Sequence, residues 1–213
     1  MADPIETVRG KTAVIRFEAR KCIHSRHCVL DRPDVFVPTV SGAWIHPDRA
    51  TADEVAELAH NCPSGAIAYE RLDGGGPERA PLVNVARVRE NGPLAFRAPL
   101  TVDGKSAGLR ATLCRCGASK NKPYCDSNHV TAGFTATGEF PTGASATLPT
   151  RDGPLKITPI ANGPLKVEGP LETISGTGHT ISRTTEAYLC RCGASGKKPF
   201  CDGSHTRIGF KST

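Results

Sequence analysis

Apolar and polar residues alternate from Thr12 to Ala19, the period-two pattern of a strand with one buried face. Apolar stretches between Val35 and Ile45 flank Ser41-Gly42 and predict a strand, a turn and a second strand. The period then changes. Thr51-Ala52-Asp53-Glu54 has the spacing of a capping box and opens a helix predicted to run to about Asn61, where Cys62-Pro63 stops it. Ala66-Ile67-Ala68-Tyr69 reads as a closing strand, and the polar stretch Cys22 to Cys28 as a loop. The order is β–loop–β–β–α–β, enough for one small α+β domain. Arg71 to Ala80, with Gly74-Gly75-Gly76-Pro77 inside it, is a linker. Beyond it the chain is β-rich, broken by many Gly and Pro turns.

That second half repeats itself. Asn91-Gly92-Pro93-Leu94 recurs as Asn162-Gly163-Pro164-Leu165, and Cys114-Arg115-Cys116-Gly117-Ala118-Ser119 as Cys190-Arg191-Cys192-Gly193-Ala194-Ser195. The second copy therefore carries a short insertion ahead of its cysteines, and Gly138 to Gly153 joins the copies. Each copy reads C-x-C-x8-C-x3-H: Cys114, Cys116, Cys125 and His129, then Cys190, Cys192, Cys201 and His205. Three thiolates and one imidazole make a complete donor set for a soft or borderline metal. In an extended segment Cys114 and Cys116 project to one side. On a helical turn, Cys125 and His129 share a face, with Asp126 as the expected N-cap. Two pairs in two geometries suit a two-iron cluster better than one tetrahedral ion. A Cys3His zinc site is the alternative, and would make the chain a zinc-stapled interaction module.

Composition bears this out. Nine cysteines in three groups of three do not fill a disulfide framework but do fill three metal sites. With 5% aromatic residues, 22 Gly and 17 Pro, the core is modest, as in metal-stapled domains. Free thiols point to a reducing, cytoplasmic setting. Met1 to Lys11 has no apolar run of a secretory signal, and no stretch approaches a spanning helix, so no membrane role is expected. The net charge of +6 fits an acidic redox partner, and nucleic acid is not expected. Arg115, Lys120, Lys122, Arg191, Lys197 and Lys198 stand inside the motifs, where they can offset thiolate charge.

The run Cys201-Asp202-Gly203-Ser204-His205, with its whole surrounding pattern, resembles the CDGSH iron–sulfur family, whose best-known members are the mitoNEET-like proteins. The first copy departs only at Ser127-Asn128, where the family has Gly-Ser; all four ligand positions remain, and a cluster of altered stability or potential is expected there. The resemblance implies a [2Fe–2S] cluster on three Cys and one His in each motif. It also implies β-rich units that pair by exchanging strands, here as an internal pseudo-dimer in a monomeric chain. A histidine ligand must lose its proton to bind, so acid should compete with iron. It should also lift the potential from the roughly −400 mV of all-Cys plant-type clusters toward that of two-His centres.

Cys22-Ile23-His24-Ser25-Arg26-His27-Cys28, with Cys62-Pro63 downstream, has bacterial ferredoxin spacing with Ser25 where a thiol is expected. Residues 22 to 70 resemble the divergent mono-cluster ferredoxin-like domain found beside CDGSH units. Cys22, Cys28 and Cys62 can hold a [3Fe–4S] cluster, or a [4Fe–4S] cluster with His24, Ser25 or solvent on the fourth iron; cysteines buried without a cluster are the plain alternative. His27, His46, His60 and His179 lack ligand spacing, and Trp44 reads as core.

The expected architecture is α+β: a ferredoxin-like domain (1–72), a linker (73–80) and two CDGSH units (81–148 and 149–213). Two [2Fe–2S] clusters and one [3Fe–4S] or [4Fe–4S] cluster are the expected cofactors. No nucleotide loop, flavin site or catalytic triad is evident, so an electron carrier rather than an enzyme is expected. Cluster transfer to an apo iron–sulfur acceptor protein, cluster storage and redox or iron sensing are the alternatives.

Overall fold

The computed structural model describes residues 5–38 and 40–212. The chain divides into two compact units, Met1–Arg79 and Ala80–Thr213.

In the first unit β1 (Glu6–Arg9), β2 (Ala13–Phe17) and β3 (Ile67–Arg71) form an antiparallel sheet with β2 in the middle. The sequence reading missed β1, a mostly exposed edge strand without an apolar face. The short helix α1 spans His27–Asp31, so Cys28 sits on a helical turn and not in a loop. Helix α2 (Ala52–Asn61) has the anticipated capping box: the Glu54 amide donates to Thr51 Oγ1, and the Thr51 amide donates to Glu54 Oε2 at 2.8 Å. Its Ala52, Val55, Leu58 and Ala59 stripe is buried with Ile15, Val35, Phe36, Ile45 and Ile67. The expected strand pair over Val35–Ile45 is reduced to one antiparallel bridge, Phe36 with Ile45. Pro33 precedes this stretch and Pro38 lies within it, and neither can donate to a ladder. Trp44 packs edge-on against Phe17 and Phe36, half in the core, and donates to Glu6 Oε2.

The second unit has β4 (Val85–Val88), β5 (Leu94–Val102), β6 (Lys105–Leu113), β7 (Leu155–Pro159), β8 (Leu165–Ile174) and β9 (Thr180–Leu189). Each copy supplies one short strand and one long hairpin, and the short strands reach across. β4 pairs antiparallel with the start of its own β5 and parallel with the end of β8. β7 pairs antiparallel with the start of its own β8 and parallel with the end of β5. The change of partner falls at an irregularity in each long strand, between Arg97 and Leu100 and between Glu168 and Leu171. Pro99 and Pro170 sit there; a missing N–H interrupts the ladder at the same place in both copies. Both copies feed one hydrophobic core, with Phe96, Leu113, Leu155, Leu165, Leu171 and Leu189 at its centre.

The repeated Asn-Gly-Pro is the turn before each long strand, with Asn91 and Asn162 at positive φ. The insertion in the second copy falls at the β8–β9 tip, Ser175 to His179, against Asp103-Gly104 between β5 and β6. Two one-turn helices complete the unit: α3 (Asn128–Thr131) and α4 (Ser204–Arg207).

Candidate metal centres

In the second unit each ligand loop folds back on its hairpin. The Cys114 amide donates to Pro123 O and the Cys125 amide to Thr112 O; Cys190 to Pro199 O and Cys201 to Tyr188 O repeat this at 2.8 Å each. The eight residues between the second and third cysteines are closed by a buried serine and a lysine. Ser119 Oγ donates to Tyr124 O at 2.6 Å, while Lys122 Nζ donates to Ser119 O at 2.6 Å. Ser195 and Lys198 do the same with Phe200 O and Ser195 O.

This bears on two expectations. Asp126 and Asp202 are not N-caps: Ser127 and Gly203 take that position in left-handed conformations. Each aspartate sits one residue earlier and spans two loops. Asp126 accepts from the amides of Lys120 and Asn128, and Asp202 from those of Gly196 and Ser204. The Ser204 hydroxyl, together with those two amides, holds the Asp202 carboxyl well below the usual carboxylate range. Arg115, expected to offset thiolate charge from within the motif, is 1% exposed and works first as a clamp. It donates to the carbonyls of Arg89, Gly92, Ala136 and Thr137 and lies over the Phe134 ring. Arg191 likewise holds Ile160 O and Gly163 O beneath Phe210. Each arginine thus ties the Asn-Gly-Pro turn to the ligand loop.

The donors come in pairs. Cys114 Sγ and Cys116 Sγ are 3.7 Å apart, as are Cys190 Sγ and Cys192 Sγ. Cys125 Sγ lies 3.5 Å from His129 Nδ1, and Cys201 Sγ 3.3 Å from His205 Nδ1. Two ligands on one tetrahedral metal, with bonds near 2.0–2.3 Å, are separated by roughly 3.3–3.8 Å, so every pair has the bite of a single metal. Yet among the described residues no three His, Cys, Asp or Glu side chains converge on one ion. Each quartet therefore presents two pairs, each with the spacing of two ligands on one metal.

Backbone amides support the sulfurs. Ala118 N donates to Cys116 Sγ, Ser127 N to Cys125 Sγ and Gly203 N to Cys201 Sγ, at 3.3–3.4 Å. Burial pushes the Cys125 thiol up to about 11 and raises Cys192, so these thiolates need a cationic partner to persist. In the tight pair, the hydrogen bond from Cys116 and nearby amides favours the Cys114 thiolate, and Cys116 keeps the proton. Burial lowers His129, favouring the neutral imidazole that a metal requires. Cys116 and Cys192 meet as an antiparallel bridge, joining the two quartets.

In the first unit Cys22 follows a short 3-10 turn, Cys28 lies on α1 and Cys62 caps α2. All three line one cavity of about 400 Å³ with His24, Ser25 and Trp44. Burial raises the Cys22 and Cys28 thiols, and each feels the charge of Cys62. His24 stands at φ 53°; its amide donates to Cys22 Sγ at 3.4 Å and its Nδ1 is 4.0 Å from that sulfur. Ser64, buried and also lining the cavity, sits 3.6 Å from Cys62 Sγ and was not singled out in the sequence. Three soft donors around one pocket fit a multi-iron centre. His60, read as bland, is hydrogen-bonded to Tyr69 OH.

Residues 87–130 and 162–206 match the family described as iron-binding zinc finger, CDGSH type. Residues 8–72 match the family described as divergent 4Fe-4S mono-cluster. No curated protein and no solved structure matches the chain.

Proposed function

We propose that this chain, which carries two CDGSH-type iron-binding units behind a divergent 4Fe-4S mono-cluster domain, is an electron carrier working one electron at a time. The observation that carries the reading is the paired bite: 3.7 Å for each Cys–Cys pair and 3.5 or 3.3 Å for each Cys–His pair. Cys114 with Cys116 would hold one iron of a [2Fe–2S] cluster and Cys125 with His129 the other. Cys190, Cys192, Cys201 and His205 would hold a second cluster. Cys22, Cys28 and Cys62 would hold a [3Fe–4S] cluster, or a [4Fe–4S] cluster completed by His24 or Ser25. Bound clusters supply reversible one-electron chemistry.

The chain's own residues set the conditions for it. Amide N–H groups aimed at the sulfurs stabilise added negative charge. The serine–lysine clasps and arginine clamps keep each ligand loop in place. The exchanged short strands support an internal pseudo-dimer within a monomer, with divisions at 1–72, 73–80, 81–148 and 149–213. The thiol chemistry suits the cytoplasm. Among the described residues no helix is long and apolar enough to cross a membrane. A net charge of +6 suits an acidic redox partner, with association slowed by salt. Electron carriage without catalysis of its own is the role these features serve.

Delivery of a cluster to an apo acceptor is the second reading, favoured by the partial exposure of Cys201 and His205. Anaerobically purified protein should contain iron and acid-labile sulfide, counted by metal and sulfide analysis with EPR. Mixed with an apo-ferredoxin, it should keep its visible absorbance and cycle with a reductase. Transfer of that absorbance, abolished by His205→Cys, would favour delivery instead, and a colourless zinc protein would overturn both readings.

A further inference from the structure

Cys116 and Cys192 belong to different ligand sets, yet they oppose each other directly across an antiparallel bridge. Cα atoms of residues paired in this way are about 4.5–5.5 Å apart, and each ligand sulfur is two bonds from its Cα. The approach depends on the next residue in each copy. Gly117 and Gly193 both have φ +83°, and each packs on the other copy's cysteine backbone. A Cβ on Gly117 would lie 2.8 Å from Cys192 O, and one on Gly193 would lie 2.6 Å from Cys116 O. Any other residue would force the two C-x-C loops apart. The buried guanidiniums cross the same boundary: Arg115 feels the charge of Cys190 as well as Cys116, and Arg191 that of Cys114.

We infer that Gly117 and Gly193 hold the two Cys3His sets together as one coupled redox pair, with the Cys116–Cys192 contact as the path between them. This rests on the [2Fe–2S] reading of both sites. An external one-electron donor reduces one cluster; passage of that electron reoxidises the first and reduces the second, with no proton or ligand displaced. A second electron enters against the charge of the first, in a partly buried setting where water screens less than in bulk.

Three full-length proteins test this: the wild type, Cys125→Ser with His129→Ala, and Cys201→Ser with His205→Ala. The first unit's centre contributes equally to all three. Fully reduced wild type should give an EPR spectrum broadened by spin–spin interaction, and titrate in two separated steps. Beyond the first unit's contribution, each single-site protein should give one narrow signal and one step. Gly117→Ala with unchanged iron and sulfide should give a spectrum closer than wild type's to the sum of the single-site spectra with the first unit's contribution counted once. If Gly117→Ala loses its iron, the comparison of wild type with the single-site proteins still decides. A wild-type spectrum equal to that sum overturns the coupling while leaving the clusters in place. Absence of any reduced signal from the second unit, in all three proteins, overturns the [2Fe–2S] reading itself.

Discussion

Single residues carry much of the difference between the two copies. Ser127 and Gly203 occupy the same left-handed step before the histidine, at φ 67° and 84°. A residue with a Cβ loses roughly 1–2 kcal/mol there. Ser127→Gly should therefore stabilise the first site by about 1 kcal/mol and lengthen its chromophore lifetime, measured by denaturation and visible absorbance. The clamp is larger in effect. Arg115→Ala would remove the donor to the carbonyls of Arg89, Gly92, Ala136 and Thr137 and the cation over the Phe134 ring. A loss of roughly 3–5 kcal/mol is expected, with Arg115→Lys recovering only part, since an ammonium cannot reach four carbonyls from one planar fork. His129 sets the direction with acid. Its folded value is lowered by burial, so the unfolded chain binds the proton more readily. Stability from this group is present above the unfolded value near 6.5 and is lost as pH falls through the lower folded value. Absorbance decay should accelerate between pH 7 and pH 5, and a flat profile would contradict histidine ligation.

At the scale of elements, local chemistry was legible where it closes within a few residues. The capping box of α2 and its apolar stripe follow from Thr51, Glu54 and the 3–4 spacing of Val55, Leu58 and Ala59. Thr51→Ala should cost about 1 kcal/mol in denaturation of the first unit. Strand β1 was invisible because an exposed edge strand has no apolar face to show. The strand pair over Val35–Ile45 shrank to one bridge because prolines deny the ladder donors, although Val35, Phe36 and Ile45 are buried. The roles of Arg115, Ser119 and Lys122 had a usable signal: each recurs at the same offset as Arg191, Ser195 and Lys198. Charge alone suggested electrostatics, whereas hydrogen bonding to backbone carbonyls is what the fold makes of them.

The whole molecule joins two units with separate cores. Residues 80–213, produced alone, should keep the absorbance and two-site stoichiometry of the Cys3His centres, checked by iron analysis. Within that unit neither copy is self-sufficient, because β4 and β7 each complete the other copy's long strand. A chain cut between the copies should therefore yield halves that reassociate or aggregate, rather than two stable monomers, as size-exclusion chromatography would report.

The amino-acid order alone determined the candidate donor sets, the duplication and the helix cap, since each depends on residue type at short, countable separations. Only the tertiary structure decided which strands exchange, that both arginines are buried clamps, and that Cys116 meets Cys192. Those depend on contacts between positions many residues apart, where spacing along the chain carries no information about distance in space.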